Sequence, residues 1–277
     1  MRLWLLLVFL LLAPPAGACE RIVTLAPSAT EALFALGLGS KVVGVTRFDA
    51  FPAEVKEIPK VGGYLDPDFE AILRLRPTLV VVTQENEQVI AWLMRLKLPH
   101  VVVDQNRLAG VEASFLRLGE RCQRQSEAQK LVQGLQADLA RLRLTLAEKS
   151  RPKVLISMNR PLNEPIRELF IAGPGTYLDE LITLAGGVNV YQGSLPYPIL
   201  SREGILRLNP EVILDLVPER GTLPPAQALA PWEALTGLQA VANHRVHLVE
   251  ADYFALPGPR IPLALADLTR YLHGARP

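Results

Sequence analysis

Five-residue apolar runs dense in branched side chains punctuate the chain: RIVTL from Arg21, KVVGV from Lys41, TLVVV from Thr78 and HVVVD from His100. Continuous rather than alternating apolar character marks strands covered on both faces, as in parallel sheets. Between the first two runs, Ser28-Ala29-Thr30-Glu31 reads as a capping box and predicts a helix that closes at Gly37. The plan then returns, with KVLIS from Lys153, a helix opened by Thr176-Tyr177-Leu178-Asp179 and closed at Gly186-Gly187, and the runs EVILDL and RVHLVE. Strands alternating with helices, twice over, predict an α/β fold of two Rossmann-like lobes, each a mostly parallel sheet flanked by helices, over 19–124 and 151–277.

The joint has a different pattern. From Ser126 to Lys149 leucines recur at helical spacing with no proline and one glycine, so 125–150 is expected to be a single linker helix. At about 1.5 Å per residue it would run about 35 Å. A connector of that kind predicts limited closure of the lobes rather than a wide clamp.

The lobes also share a sentence. YLDPDFEAILRLRPTLVVV begins at Tyr64 and YPILSREGILRLNPEVILD at Tyr197, 133 positions on, and aligned without a gap they share the tyrosine, Glu70 with Glu203, Ile-Leu-Arg-Leu, and Pro77 with Pro210. Asp68 and Ser201 are suited to cap equivalent helices, which places both glutamates in a first turn. A period this long excludes a solenoid and fits two similar lobes.

Residues 1–18 carry Arg2, the apolar run LWLLLVFLLLA and Ala16-x-Ala18 before Cys19, the plan of a secretory signal peptide. The run is too short for a membrane span of about 20 residues. Export to the periplasm, an oxidising compartment, allows Cys19 and Cys122 to pair as a disulfide. Acylation of Cys19 as a lipid anchor is the alternative, and the two exclude each other. With 29 Lys and Arg against 28 Asp and Glu, and 6% aromatics, the chain has no charge bias that would favour nucleic acid or an anionic surface.

In open α/β sheets ligands bind outside the carboxyl ends of the strands. Facing lobes would present Pro27, Phe48 and Tyr64 from one side and Tyr197, Tyr253 and Phe254 from the other, an aromatic cleft suited to a large flat ligand. Arg47, Arg160 and Arg260 fall near strand ends, where they could meet acidic groups. The four histidines, His100, His244, His247 and His273, show no metal-ligand spacing, so no protein-bound metal or cofactor is expected. An α/β enzyme is the alternative of another class, but Gly37-x-Gly39 lacks the third glycine of a dinucleotide loop and follows a helix. There is no Walker lysine loop, no Gly-x-Ser-x-Gly elbow and no acid, base and nucleophile set.

The start RIVTLAPSATEALFALGLGSKVVGVT, the segment VGGYLDPDFEAILRLRPTLVVV, and LPYPILSREGILRLNPEVI with DYFALPGPRI resemble the helical-backbone (class III) periplasmic substrate-binding proteins of ABC transporters, nearest to their cobalamin-binding branch. The resemblance covers nearly all of the chain after the signal. It implies a monomeric binder, not an enzyme, that takes a metal chelate between its lobes: cobalamin or a related corrinoid, with haem or a ferric siderophore as the alternative. It further implies that Tyr64 and Tyr197 stand where the cobalamin branch has ligand-contacting tryptophans and Phe48 where it has a tyrosine. Glu70 and Glu203 match the two lobe-tip glutamates that dock onto arginines of a dimeric permease. Tyrosine for tryptophan at both walls keeps an aromatic face and adds two hydroxyls.

Overall fold

A computed structural model describes residues 17–144, 150–162, 164–217 and 223–274. All but two residues of the expected signal peptide, and residues 145–149 of the expected linker helix, lie outside them. Among the described residues no helix is long and apolar enough to cross a membrane.

The first sheet holds β1 (Ile22–Thr24), β2 (Val42–Gly44), β3 (Leu79–Thr83) and β4 (His100–Val103) in the order β2-β1-β3-β4. Every pairing in it is parallel. Helices α1 (Pro27–Ala35), α2 (Phe69–Arg74) and α3 (Glu87–Arg95) make the crossovers, and α4 (Leu108–Arg121) follows β4. The strands are continuous apolar runs because both faces are covered: Ile22, Leu79 and Val81 enter one cluster of buried residues while Val23, Val80 and Val82 enter another.

Helix α5 (Gln125–Leu144) follows, with Ala128, Val132, Leu135 and Leu139 forming its buried stripe. Gly119 of α4 lies where an added methyl would collide with Ala128, so the two helices approach backbone to side chain.

Past α5 come β5 (Lys153–Met158), β6 (Glu168–Ile171), α6 (Tyr177–Leu184), β7 (Val188–Asn189), β8 (Ile199–Ser201), α7 (Arg202–Leu208), β9 (Val212–Leu216), α8 (Pro225–Glu233), α9 (Gln239–Ala242), β10 (Val246–Val249) and α10 (Ile261–His273). Their sheet runs β10-β9-β5-β6-β8, with β7 beside β5. Strands β10, β9, β5 and β7 are parallel, as expected. Strands β6 and β8 are antiparallel, so this sheet is mixed. These two strands escaped the sequence pattern because β6 is a four-residue strand buried at alternate positions only and β8 is three residues long.

The capping expectations divide. Asp68 accepts from the Ala71 amide at 2.9 Å, Ser201 from Gly204 at 3.2 Å and Thr176 from Asp179 at 3.2 Å, so three predicted caps form. The capping box at Ser28 does not. Pro27, whose fixed φ and missing N–H suit the first helical position, starts α1 there, and Ala26 becomes the cap. Ser28 is thereby inside the helix, and Glu31 is free to pair elsewhere. The helix still closes at Gly37, which takes φ +72°.

Cys19 and Cys122 are joined, which ties the start of the described chain to the end of α4. With its sulfur in that bond, Cys19 has no free thiol in this structure.

Candidate functional site

One apolar core runs through both lobes. Ile22, Leu79 and Val81 of the first sheet and Val154, Val212 and Leu214 of the second belong to the same buried cluster, bridged by α1, α4, α5, α6 and α10. The lobes are therefore packed together and not merely tethered, which fixes the walls of whatever lies between them.

Between them lies a cavity of about 470 Å³. Phe48 and Ala50 form its wall from the first lobe, and Asn159, Leu216, Val217 and Asp252 contribute from the second. Leu216 ends β9 and Asn159 follows β5, so the cavity sits outside the carboxyl ends of the second sheet's parallel strands. Asn159 adopts a left-handed φ of 55°, which short amide side chains tolerate, and its backbone N–H donates to the Leu216 carbonyl. It also lines a second cavity of about 400 Å³ together with Phe170 and Ile199, so the two adjoin at this residue.

Three of the expected aromatic walls fall in two ring pairs, one from each lobe. Phe48 and Tyr64 meet edge to face with centroids 6.3 Å apart, and Phe170 stacks on Tyr197 at 5.6 Å. Phe48, Tyr64 and Tyr197 are 52%, 42% and 37% exposed, enough ring surface to receive a ligand. The Asn86 side-chain amide donates to the Tyr64 carbonyl and pins its loop. Burial pushes the Tyr197 hydroxyl above its ordinary pKa, and the charge of Glu85, on the first lobe, raises it further.

Phe170 and Asn159 were not anticipated. The only trace of Phe170 in the sequence is the alternation of Glu-Leu-Phe-Ile, which turns Glu168 and Phe170 to one face of β6 and buries Leu169 and Ile171. Nothing in the sequence singled out Asn159.

Other expected ligand contacts are placed differently. Phe254 is 1% exposed and belongs to the core, and it also lines the inter-lobe cavity, so it offers the cleft little ring surface of its own. Tyr253 donates its hydroxyl to Asp267 of α10 at 2.6 Å, and burial with that bond pushes it up to about 12. Pro27 is spent opening α1.

The three arginines are all paired. Arg260 lies across the lobe boundary, bonded to Glu31 of α1 at 2.9 Å and to Asp252 at 2.8 Å. Its guanidinium also lies over the rings of Phe51, at 4.4 Å, and Tyr253, at 5.4 Å. It is a clasp between lobes, and its 13% exposure leaves little for a ligand. Burial pushes the Glu31 carboxyl above its ordinary range although Arg260 opposes the shift, and the two carboxylates hold Arg260 charged. Arg160 is buried against Asp215 at 2.7 Å and over Trp232, so it holds the second lobe together. Arg47 pairs with Asp66 at 2.9 Å on the surface beside Phe48.

Glu70 and Glu203 lie in the first turns of α2 and α7, both exposed. Glu70 is within 3.7 Å of Arg74, one turn on. Among the described residues no group of histidine, cysteine and carboxylate side chains could hold a metal. His100 and His273 contact the Leu98 and Ala185 carbonyls, and His247, lowered by burial, stacks on Tyr271.

A family model described as periplasmic binding protein matches residues 22–253. An uncharacterized ABC transporter substrate-binding lipoprotein of Bacillus subtilis is 28% identical over 92% of this chain and 80% of its own. The crystal structure of a periplasmic vitamin B12-binding protein of Vibrio cholerae superposes with a TM-score of 0.78 at 26% identity, covering 91% of this chain and 96% of that one. A periplasmic heme-binding protein of Roseiflexus sp. RS-1 superposes with a TM-score of 0.75 at 27% identity, covering 91% and 97%.

Proposed function

From the premise that this chain belongs to the periplasmic binding protein family, whose members serve ABC importers as substrate-binding proteins and not as enzymes, we propose that its ligand is a metal chelate, a corrinoid of the cobalamin type. The observation that carries this reading is the pair of half-exposed aromatic couples, Phe48 with Tyr64 and Phe170 with Tyr197, one from each lobe at adjoining cavities. A planar macrocycle covered on both faces by rings gains apolar burial with little side-chain entropy lost, because each ring has only two torsions to fix. The similarity to a vitamin B12-binding protein supports the same choice.

Haem is the second reading, favoured by the similarity to a heme-binding protein and by two half-exposed phenols, since a tyrosinate ligates ferric iron. Delivery would be to a dimeric inner-membrane permease, with Glu70 and Glu203 as the docking acids and the chain acting as a periplasmic monomer freed by cleavage after Ala18. Purification from a periplasmic extract, followed by an absorption spectrum and mass of the co-purifying ligand, tests the choice. A corrinoid spectrum is expected. A Soret band would favour haem, and failure to bind any chelate supplied would reject both.

A further inference from the structure

Among the described residues, six besides glycine take a left-handed φ. Arg76, Lys97, Gln123, Asn209 and His244 each follow the last turn of a helix, α2, α3, α4, α7 and α9 in turn, where a residue in this conformation closes the helix. Asn159 is the sixth, and it follows strand β5, so helix closure does not account for it. Asn209 also puts its amide to structural use, with Oδ1 accepting from the Gln239 N–H at 2.9 Å where α9 starts. The Asn159 side-chain amide, by contrast, bonds to no described residue. Glycine would take its φ of 55° at lower cost, yet the chain holds a polar side chain there.

Its place in the fold supplies the reason. Asn159 is exposed and lines both the inter-lobe cavity and the adjoining one, so a ligand that occupies the two must pass it. The backbone beneath it is held from both sides. Met158 before it pairs with Phe170 of β6 and Leu216 of β9, its own N–H donates to the Leu216 carbonyl at 3.2 Å, and Arg160 after it is buried against Asp215. A side chain with two torsions on a fixed backbone loses little entropy on meeting a ligand.

We infer that Asn159 orients the ligand, hydrogen-bonding a polar group on the edge of the ring at the junction of the two cavities. The inference rests on the chelate-binding reading and deepens it. Apolar contact with the faces of a flat ring is not directional, so the ring pairs Phe48 with Tyr64 and Phe170 with Tyr197 hold the ligand but leave it free to turn in its own plane. One directional bond at the edge fixes that turn, and an amide, donor and acceptor at once, can make it with an edge group of either kind.

The test removes the side chain and keeps the backbone. Asn159→Gly accepts the left-handed φ without strain, so the fold is retained, and Asn209→Gly makes the same change where the amide serves structure alone. Calorimetry with cyanocobalamin, and in a parallel arm with haemin, gives affinities, and thermal melts of the free proteins give stability. Asn159→Gly is expected to weaken the ring that the parent protein binds by about tenfold, the worth of one hydrogen bond, with Tm close to the parent's. Asn209→Gly should lower Tm and leave that affinity unchanged. Parent affinity in the Asn159→Gly protein would overturn the inference while leaving a chelate binder, and so would an equal loss of affinity in the two variants, which would trace it to stability. If the parent binds neither ring, the chelate reading itself falls, and the inference with it.

Discussion

Rings left half exposed in a cleft contribute most when a ligand covers them, because the surface they lose to the ligand is then removed from water. Tyr64→Ala and Tyr197→Ala are each expected to weaken binding of the identified ligand by about 1 to 3 kcal/mol, measured by calorimetry. Two unimpaired variants would place the cleft on the wrong face. Asp49 offers a different test. Its Oδ2 accepts from the Thr46 amide at 2.8 Å and its hydroxyl at 2.6 Å, yet burial outweighs these bonds and raises its pKa above 3.8. Glu31 is likewise raised above 4.5. The folded state thus retains protons that the unfolded state releases, and this contribution is full below the ordinary values and lost as pH rises through the raised ones. Stability should fall across that acidic window, and Asp49→Asn should flatten the fall in thermal melts taken at intervals from pH 4 upward.

At the scale of elements, the disulfide and the linker helix carry the distinct predictions. The bond closes a separation of 103 residues. Loops of that size confine the unfolded chain strongly, so Cys122→Ser should cost about 2 to 5 kcal/mol in denaturant melts. A loss near zero would mean that α1, α4 and their neighbours already hold the amino terminus. Helix α5 packs against both α4 and α10, and Arg260 clasps α1 from the other lobe. Opening wide would tear the shared core and that ion pair, so ligand binding should bring only a small rocking of the lobes. Small-angle scattering with and without ligand checks it, and a large drop in radius of gyration would contradict it.

At the scale of the whole molecule the proposed docking would give the repeated sentence a reason. A homodimeric permease would present the same basic pocket twice, and one chain would match it by carrying an acid on each lobe. An exposed ion pair is worth only about 0 to 1 kcal/mol, but two acids on a rigid body act together through effective concentration. Glu70→Arg with Glu203→Arg should leave ligand affinity unchanged while abolishing uptake in cells with the cognate permease. Intact uptake would reduce both glutamates to residues that complement their helix dipoles.

The sequence by itself determined the parallel strands, the helices they alternate with, the three side-chain caps and the matched tyrosine and glutamate positions, because each is written in local periodicity or in spacing along the chain. It also allowed the Cys19–Cys122 pair without deciding it. Tertiary structure decided the rest. Whether an arginine meets a ligand depends on which carboxylates other segments bring to it, and Glu31, 229 positions from Arg260, has no local signature. Phe254, expected as a wall, proved to be core that lines the cavity, and Phe170 became a wall, since which face of a short strand meets the cleft is set by what it packs against and not by its own composition.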